Sequence, residues 1–430
     1  MAGFLDLVRR NRNYRYTWLG QIVSEVGDHF NTVAVFSLAL SNTGSGLVVS
    51  GLMISRALPM ILAGPLAGVL LDRMDRKRLM IASDLLRAVV AALFVLATGP
   101  ERTWLLYLLS ALLVFASPFF TSGRAAILPA ITTPEELHTA NSLTKTTQWT
   151  ALTAGAMLGG AAAMKFGYEG AFAFNALSFL FSAACIARLQ TSQGFRPALP
   201  ALTESQVLRP WRDYIEGLTY MRSAPLLLAI GLVHLGWASG GGAAQVLFAL
   251  FGQVVYPYGP AGMGTIWGFA GLGLLAGGAL ANLIGDRLSF DRLKSVITVC
   301  FAVHGLAYIA FSQARPFWLS LFFIALSRAG MGVTAILNTT LLLRHVPDAY
   351  RGRVLATIES LVWGVMMVSM AAAGYASGYW DPRTIGAAAG MLSSSTALIW
   401  LAADRKGWLV EPPPVGIERQ EVEVHDPPAL

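Results

Sequence analysis

A chain of 430 residues, 55% hydrophobic and only 13% charged, stands far from the roughly 25% charge of soluble domains, which excludes a string of soluble globular domains. Its net charge of +7 does not by itself point to nucleic acid, because the basic residues sort by loop, which is a topology signal. Cys185 and Cys300 fall in or beside apolar stretches without CxxC spacing, so neither a disulfide framework nor a cysteine metal site is expected.

Apolar runs bounded by charged or Gly/Pro-rich turns predict twelve spanning helices, at 16–40, 46–71, 79–97, 103–130, 141–164, 168–188, 225–252, 261–285, 293–312, 316–342, 353–377 and 384–403. The first follows the basic stretch MAGFLDLVRRNRNYRY. It is too long and too polar for a signal-peptide core and lacks an A-x-A site, so it reads as a retained helix. Within it, Gln21, Ser24, Glu25, Asp28, His29, Asn31 and Thr32 share an arc of about 160° at about 100° per residue, with Ile22, Val23, Val26, Phe30 and Val33 opposite. That is the pattern of a helix lining a water-accessible cavity. A charge at the bilayer centre costs about 2.5–3.5 kcal/mol on insertion scales, so such residues are functional candidates. Asp28 lies ~18 Å in from the cytoplasmic end by helical rise, and Arg56 in the second run reaches a similar depth. An Asp28–Arg56 pair is expected, with a static structural pair as the other reading. Glu25, about one turn nearer the cytoplasm, is a relay or a wet wall residue.

The second run ends in GVLLDRMDRKRL, residues 68–79. A carboxylate at a helix C-terminus opposes its own helix dipole, so Asp72 gains from a neighbouring helix start or an arginine. Arg76, Lys77 and Arg78 read as a solvated, positive-inside turn. In the fourth run Arg124 lies so near the cytoplasmic end that snorkelling would satisfy it. The fifth carries AGAMLGG, where Gly155, Gly159 and Gly160 allow close helix packing. The seventh carries HLGWASGGGAAQ, in which Gly240–Gly242 weaken the helix between Trp237 and Gln245, as at a cavity wall or bend. Arg328 in the tenth needs a carboxylate, and Glu359 in the eleventh is the available one. Glu359, Trp363, Met366, Met367 and Met370 form a stripe that suits an adaptable cavity or simple packing. His234 and His304 read as satisfied by neighbours.

Two landmarks repeat at one spacing. GPLAGVLLDR at 64–73 matches GALANLIGDR at 278–287, pairing Asp72-Arg73 with Asp286-Arg287, and PEEL at 134–137 matches PDAY at 347–350. Parallel duplication follows, giving a bundle over 1–188, a cytoplasmic linker over 189–224, a second bundle over 225–405 and a disordered tail over 406–430. One set of alternate loops holds 22 Lys and Arg, the other only Arg102, Lys165, Arg315 and Arg383, so both termini are expected in the cytoplasm.

GVLLDRMDRKRL resembles the loop signature of the major facilitator superfamily, G-x-L-A-D-R-x-G-R-R/K-x-x-L. Gly68, Leu70, Asp72, Arg73, Arg76, Lys77 and Leu79 match, while Leu71 replaces Ala and Asp75 the second Gly. With WLGQIVSEVGDHF, RAAILPAITTPEELHTANSL and VPDAYRGRV, the chain resembles the bacterial efflux branch that includes macrolide exporters and the enterobactin exporter. The resemblance implies an all-α membrane protein with two pseudo-symmetric six-helix bundles. It also implies a cytoplasmic latch from Asp72 to the start of the eleventh helix, where Gly352 and Arg353 lie, with a weaker counterpart from Asp286 to the fifth. It ties a fourth-helix arginine, here Arg124, to proton movement, and likens Gly155, Gly159 and Gly160 to the antiporter motif, with Ala156 in the proline position.

The implied protein is a monomeric, proton-coupled exporter of amphipathic small molecules such as drugs, macrolides or siderophores, in the bacterial cytoplasmic membrane. It would work by alternating access, drawing on the proton gradient in place of a cofactor. Gln21, Thr32, Trp237, Gln245, Trp363, Met366 and Met367 are its expected substrate cavity. A lipid or lysophospholipid flippase and a transport-inactive scaffold are the alternatives. GxxxxGK(S/T), HExxH and GxSxG are absent, so neither ATP hydrolysis nor other enzyme chemistry, and no metal, is expected.

Overall fold

The computed structural model describes residues 4–190 and 210–411, and within them the regular structure is helical throughout. The helices are α1 (Phe4–Arg10), α2 (Arg12–Thr43), α3 (Gly46–Arg73), α4 (Arg76–Leu93), α5 (Thr103–Ile131), α6 (Pro134–Ala187) and α7 (Pro210–Ser223). They continue with α8 (Pro225–Leu250), α9 (Gly259–Ile284), α10 (Phe290–Gln313), α11 (Phe317–His345), α12 (Asp348–Ala376) and α13 (Pro382–Arg405). Ten of them, among the described residues, are long and apolar enough to cross a membrane. α2 falls outside that set because its polar arc lowers its hydropathy. α6 counts once although its 54 residues run ~80 Å, more than twice a hydrocarbon core of about 30 Å.

Gly167 divides α6. Its φ of 74° is open to glycine and strained for any residue with a Cβ. Before it, Gly155 and Gly159 face His29 and Phe30; after it, Asn175 and Ser178 face Gly27. Both halves therefore flank α2 at one level, and the chain reverses at Gly167. All twelve predicted spans are thus helices.

Local chemistry sets the ends. Asn11 caps α2 by accepting from the Tyr14 N–H at 2.9 Å, and its Nδ2 donates to the Ile131 carbonyl at 2.7 Å and to Glu136 at 3.0 Å. Thr133 and Glu136 form a capping box behind Pro134 at the start of α6. Asp75, which stands where the family signature has glycine, caps α4 by accepting from the Arg78 N–H at 2.9 Å.

The chain divides into two compact units. One comprises Met1–Thr203, Gln245–Gly271 and Met370–Pro382; the other comprises Glu204–Ala244, Leu272–Ser369 and Arg383–Leu430. A core of the first joins Leu7, Tyr14, Met80, Phe120, Ile127 and Ile186. The second is built around Ile230, Ile297, Phe301, Leu337 and fully buried Trp400, whose indole N–H donates to the Lys294 carbonyl at 3.1 Å.

The predicted linker 189–224 and tail 406–430 lie partly outside the described residues. The described end of the linker is the helix α7, which the polar reading of that segment did not anticipate. It docks on the start of α12: Glu216 pairs with Arg353 at 2.8 Å, and Tyr220 stacks on Tyr350 at 4.6 Å and 7°. Gly217 makes this close approach, since a Cβ there would sit 2.5 Å from Thr357 Oγ1 and 2.7 Å from the Arg353 carbonyl. Gly217→Val is accordingly expected to undock α7. Limited proteolysis should then cut within 210–223 several-fold faster than in the wild type, and an unchanged rate would refute the docking contact.

Candidate functional site

α2 reaches the centre of the first unit because glycines let its neighbours close on it. A Cβ at Gly159 would lie 2.8 Å from Phe30 Cα, one at Gly155 3.0 Å from His29 Cβ, and one at Gly20 3.2 Å from Ser182 Oγ. This packing turns Glu25, Asp28, His29 and Thr32 of the polar arc toward a cavity of about 300 Å³, whose lining also includes Arg56 and Gln148, while Gln21, Ser24 and Asn31 of the same arc are buried.

The charges around it are organised in pairs. Glu25 Oε1 lies 3.5 Å from Arg124 Nη1 and accepts from Gln21 Nε2 at 2.9 Å, and Gln21 also donates to the Thr144 carbonyl at 3.2 Å. Arg124 is therefore not a snorkelling residue. It is 7% exposed, and on α5 it faces α2, where the nearest polar group is Glu25 and not the aqueous surface. Gln21 is a buried support for Glu25 and takes no part in the cavity wall.

Asp28 pairs with Arg87 of α4 at 3.8 Å, while Arg56 stands beyond ion-pair distance of it, near enough to interact electrostatically. Arg87 also grips Asp84 one turn away and lies between the rings of Phe120 and Phe179, at 4.8 and 4.3 Å. Its side chain is 3% exposed and that of Asp84 fully buried, so each ion must find its counter-ion within the protein. Arg56 lines the cavity, donates to Thr32 Oγ1 at 3.5 Å and lies over the Phe36 ring at 5.5 Å. That opening permits hydration, and this is the physical reason Arg56 does without the expected pair. Glu25, Asp28 and Asp84 match Arg56, Arg87 and Arg124 in number, so the set is neutral when fully ionised. Asp84 and Arg87 were not singled out from the sequence. Their signal was present, as an acid and a base three apart in the apolar run SDLLRAVV.

Elsewhere the structure sorts the predicted residues differently. Gly68, Asp72 and Arg73 are exposed at the end of α3. Arg76 and Lys77 are not simply solvated: Arg76 donates to the Ala126 carbonyl at 2.9 Å and Lys77 to the Leu189 carbonyl at 2.8 Å, placing cations at the C-terminal ends of α5 and α6. Arg287 is exposed in a short turn, and the side chain of Asp286 lies outside the described residues. Glu359 is exposed and no ion pair joins it to Arg328, which is 5% exposed, donates to the Met331 sulfur at 3.2 Å and lies close enough to Tyr308 to interact electrostatically. Matching depth did not ensure matching azimuth.

None of Trp237, Gln245, Trp363, Met366 and Met367 enters the lining of the cavity in the first unit. Trp237 packs on the core of the second unit, Trp363 is 37% exposed and Met366 is buried. α8 stays helical through Gly240–Gly242 because these glycines serve contact: a Cβ at Gly242 would strike the Met366 carbonyl, and one at Gly240 Ser393. Gly160 likewise meets Pro260, Ala261 and Gly264. His304 is satisfied by Ser327, at 2.9 Å from both its carbonyl and its hydroxyl, and His234 Nδ1 by the Ile230 carbonyl at 2.7 Å.

Comparison with known proteins adds three likenesses and a family. A family model described as Major Facilitator Superfamily matches residues 17–369. The putative bacilysin exporter BacE of Bacillus subtilis (strain 168) is 25% identical over 71% of this chain and 77% of its own. Macrolide efflux protein A of Streptococcus pyogenes is 24% identical over 82% and 86%. A crystal structure of peptide transporter POT in complex with sulfate superposes with a TM-score of 0.68 over 94% of this chain and 96% of that one, at 13% identity, a likeness of fold.

Proposed function

The chain belongs to the major facilitator superfamily, a family of multi-pass membrane transporters, and on that premise we propose that it is a proton-coupled exporter of amphipathic small molecules. The observation that carries the reading is Asp28: its carboxylate faces the cavity with 35% of the side chain exposed while touching the buried Arg87 at 3.8 Å. A proton or a substrate cation reaching Asp28 weakens its hold on Arg87, which then falls to Asp84, so occupancy of the cavity is felt at the contacts between α2, α4 and α5. Glu25 and Arg124 form a second acid–base pair one turn along α2 and give the proton a neighbouring stop. The efflux roles in the names of two relatives support the outward direction. The Lys and Arg asymmetry supports cytoplasmic termini in a bacterial inner membrane. Each inward proton supplies ~2.3 kcal/mol per 100 mV, equivalent to a substrate gradient of about 50-fold at 1.36 kcal/mol per decade.

Asp28→Asn keeps the shape of the carboxylate and removes its titration. In proteoliposomes the variant is expected to lose pH-driven transport of a fluorescent amphipathic probe such as rhodamine B while eluting from size exclusion as the wild type does. Transport by the variant at the wild-type rate under a proton gradient would remove Asp28 from the coupling step.

A further inference from the structure

Resting on the transport reading above, we infer that the cavity selects substrates bearing both a positive and a negative charge, with Asp28 receiving the cationic group and Arg56 the anionic one. Four of the six charges are committed to each other. Asp84 is ion-paired with Arg87, and Glu25 is held by Arg124 and Gln21. Glu25 also lines the cavity, but its Oε1 is engaged by Arg124 and Gln21; the lining charges with no partner closer than 3.5 Å are one carboxylate, Asp28, and one guanidinium, Arg56.

Asp28 touches Arg87 at 3.8 Å, near the outer limit of an ion pair, and keeps 35% of its side chain open. Arg56 has one long hydrogen bond, to Thr32 at 3.5 Å, and the face of Phe36 at 5.5 Å. Among the described residues no carboxylate stands within ion-pair distance of it. A guanidinium offers a planar fork of donors matched to a carboxylate or phosphate, while an ionised carboxylate only accepts and so suits an ammonium group. A plain lipophilic cation would satisfy Asp28 and be repelled by Arg56; a plain anion would meet the reverse. A zwitterion satisfies both, and Leu113 and Val114 in the same lining take its apolar body. The cavity of about 300 Å³ stands at the low end of the roughly 300–1,000 Å³ of small-molecule sites, room for a small zwitterion or the charged head of a larger one.

The test uses purified full-length protein and calorimetric titration with three matched probes: the dipeptide phenylalanyl-leucine, its C-terminal amide (a cation) and its N-acetyl form (an anion). The dipeptide is expected to bind about ten-fold more tightly than either relative, the size of one charge-assisted hydrogen bond. Arg56→Gln should weaken the dipeptide and strengthen the amide, whose repulsion by the guanidinium is gone, so that the preference for the dipeptide is lost, whereas Arg56→Lys should keep part of it. Lysophosphatidylethanolamine carries the same two charges on a lipid. Arg56-dependent binding of it supports the inference with a lipid headgroup as the source, and binding of the dipeptide alone supports it with a water-soluble solute. Equal affinity for the amide, equal affinity for the N-acetyl form, or no binding of any zwitterion would overturn it. Proton-driven transport of the amide at a rate equal to that of the dipeptide would overturn it too while leaving the exporter reading intact; absence of proton coupling for every probe would sink that reading instead.

Discussion

Arg87→Met is expected to destabilise the protein by about 3–5 kcal/mol, the usual result of stripping one partner from a buried ion pair. Asp84 would be left fully buried without a counter-ion, in a site closed by Phe120 and Phe179. Asp28 would also lose its neighbour, but it faces the cavity and keeps access to water. The damage is therefore assigned mainly to Asp84, and this makes the prediction sharp. Replacing both members, Asp84→Asn with Arg87→Met, removes the stranded charge and should restore most of the lost stability, because well-filled neutral replacements of buried pairs are often near neutral. Apparent melting in detergent, followed by fluorescence-detected size exclusion, reads both. A double variant as unstable as Arg87→Met, or an Arg87→Met protein as stable as the wild type, would show that Asp84 does not depend on Arg87. The double variant should fold and still transport poorly, since Asp28 then has no Arg87 to release.

The helices themselves were legible because membrane-length apolar runs and charged turns are strong signals that need no partner. The break within α6 was legible as a short polar interval around Lys165–Gly167, where Gly167 leaves helical geometry. α7 was missed for the opposite reason. Its sequence is polar enough to pass for linker, and its helicity rests on a tertiary contact, Glu216 and Tyr220 against α12, that no local pattern encodes.

For the site, a helical wheel shows which face of a helix is polar, so Glu25, Asp28 and Thr32 could be named. It does not show which helix stands opposite. Arg56 matched Asp28 in depth, yet the ion pair went to Arg87, which is buried beside α2 and bridges Asp28 and Asp84. Glu359 matched Arg328 in the same way and points elsewhere. Arg124, judged by its distance from the helix end, turned out to be defined by Glu25 across the interface. Depth is one coordinate of three; azimuth and neighbour order come only from the packed structure. The methionine stripe shows the same limit, since Met366 is buried while Trp363 on the same helix is exposed.

Gly159→Val is expected to lower transport at least about ten-fold in a protein that still reaches the membrane, because it acts on the placement of α2 and adds no charge. The Cβ alone would lie 2.8 Å from Phe30 Cα and 3.2 Å from its backbone nitrogen. These are backbone atoms and no rotamer change relieves them, so α2 and α6 must separate, and a branched side chain widens the gap. The part of α2 that moves carries Asp28, whose contact with Arg87 is already 3.8 Å long. A further displacement of about 1 Å would take it beyond useful ion-pair distance, in the way that small misplacements abolish much of the function of preorganised sites. Gly64→Ala on α3 is the control: nothing lies within 4 Å of the added Cβ, and alanine is the better helix former by about 1 kcal/mol, so transport should persist. Initial rates in proteoliposomes, scaled to reconstituted protein, decide the matter. If Gly159→Val transports as the wild type does, the approach of α6 to α2 does not set the geometry of Asp28, and the glycines of α6 would have to be read as a local packing device without bearing on the cavity.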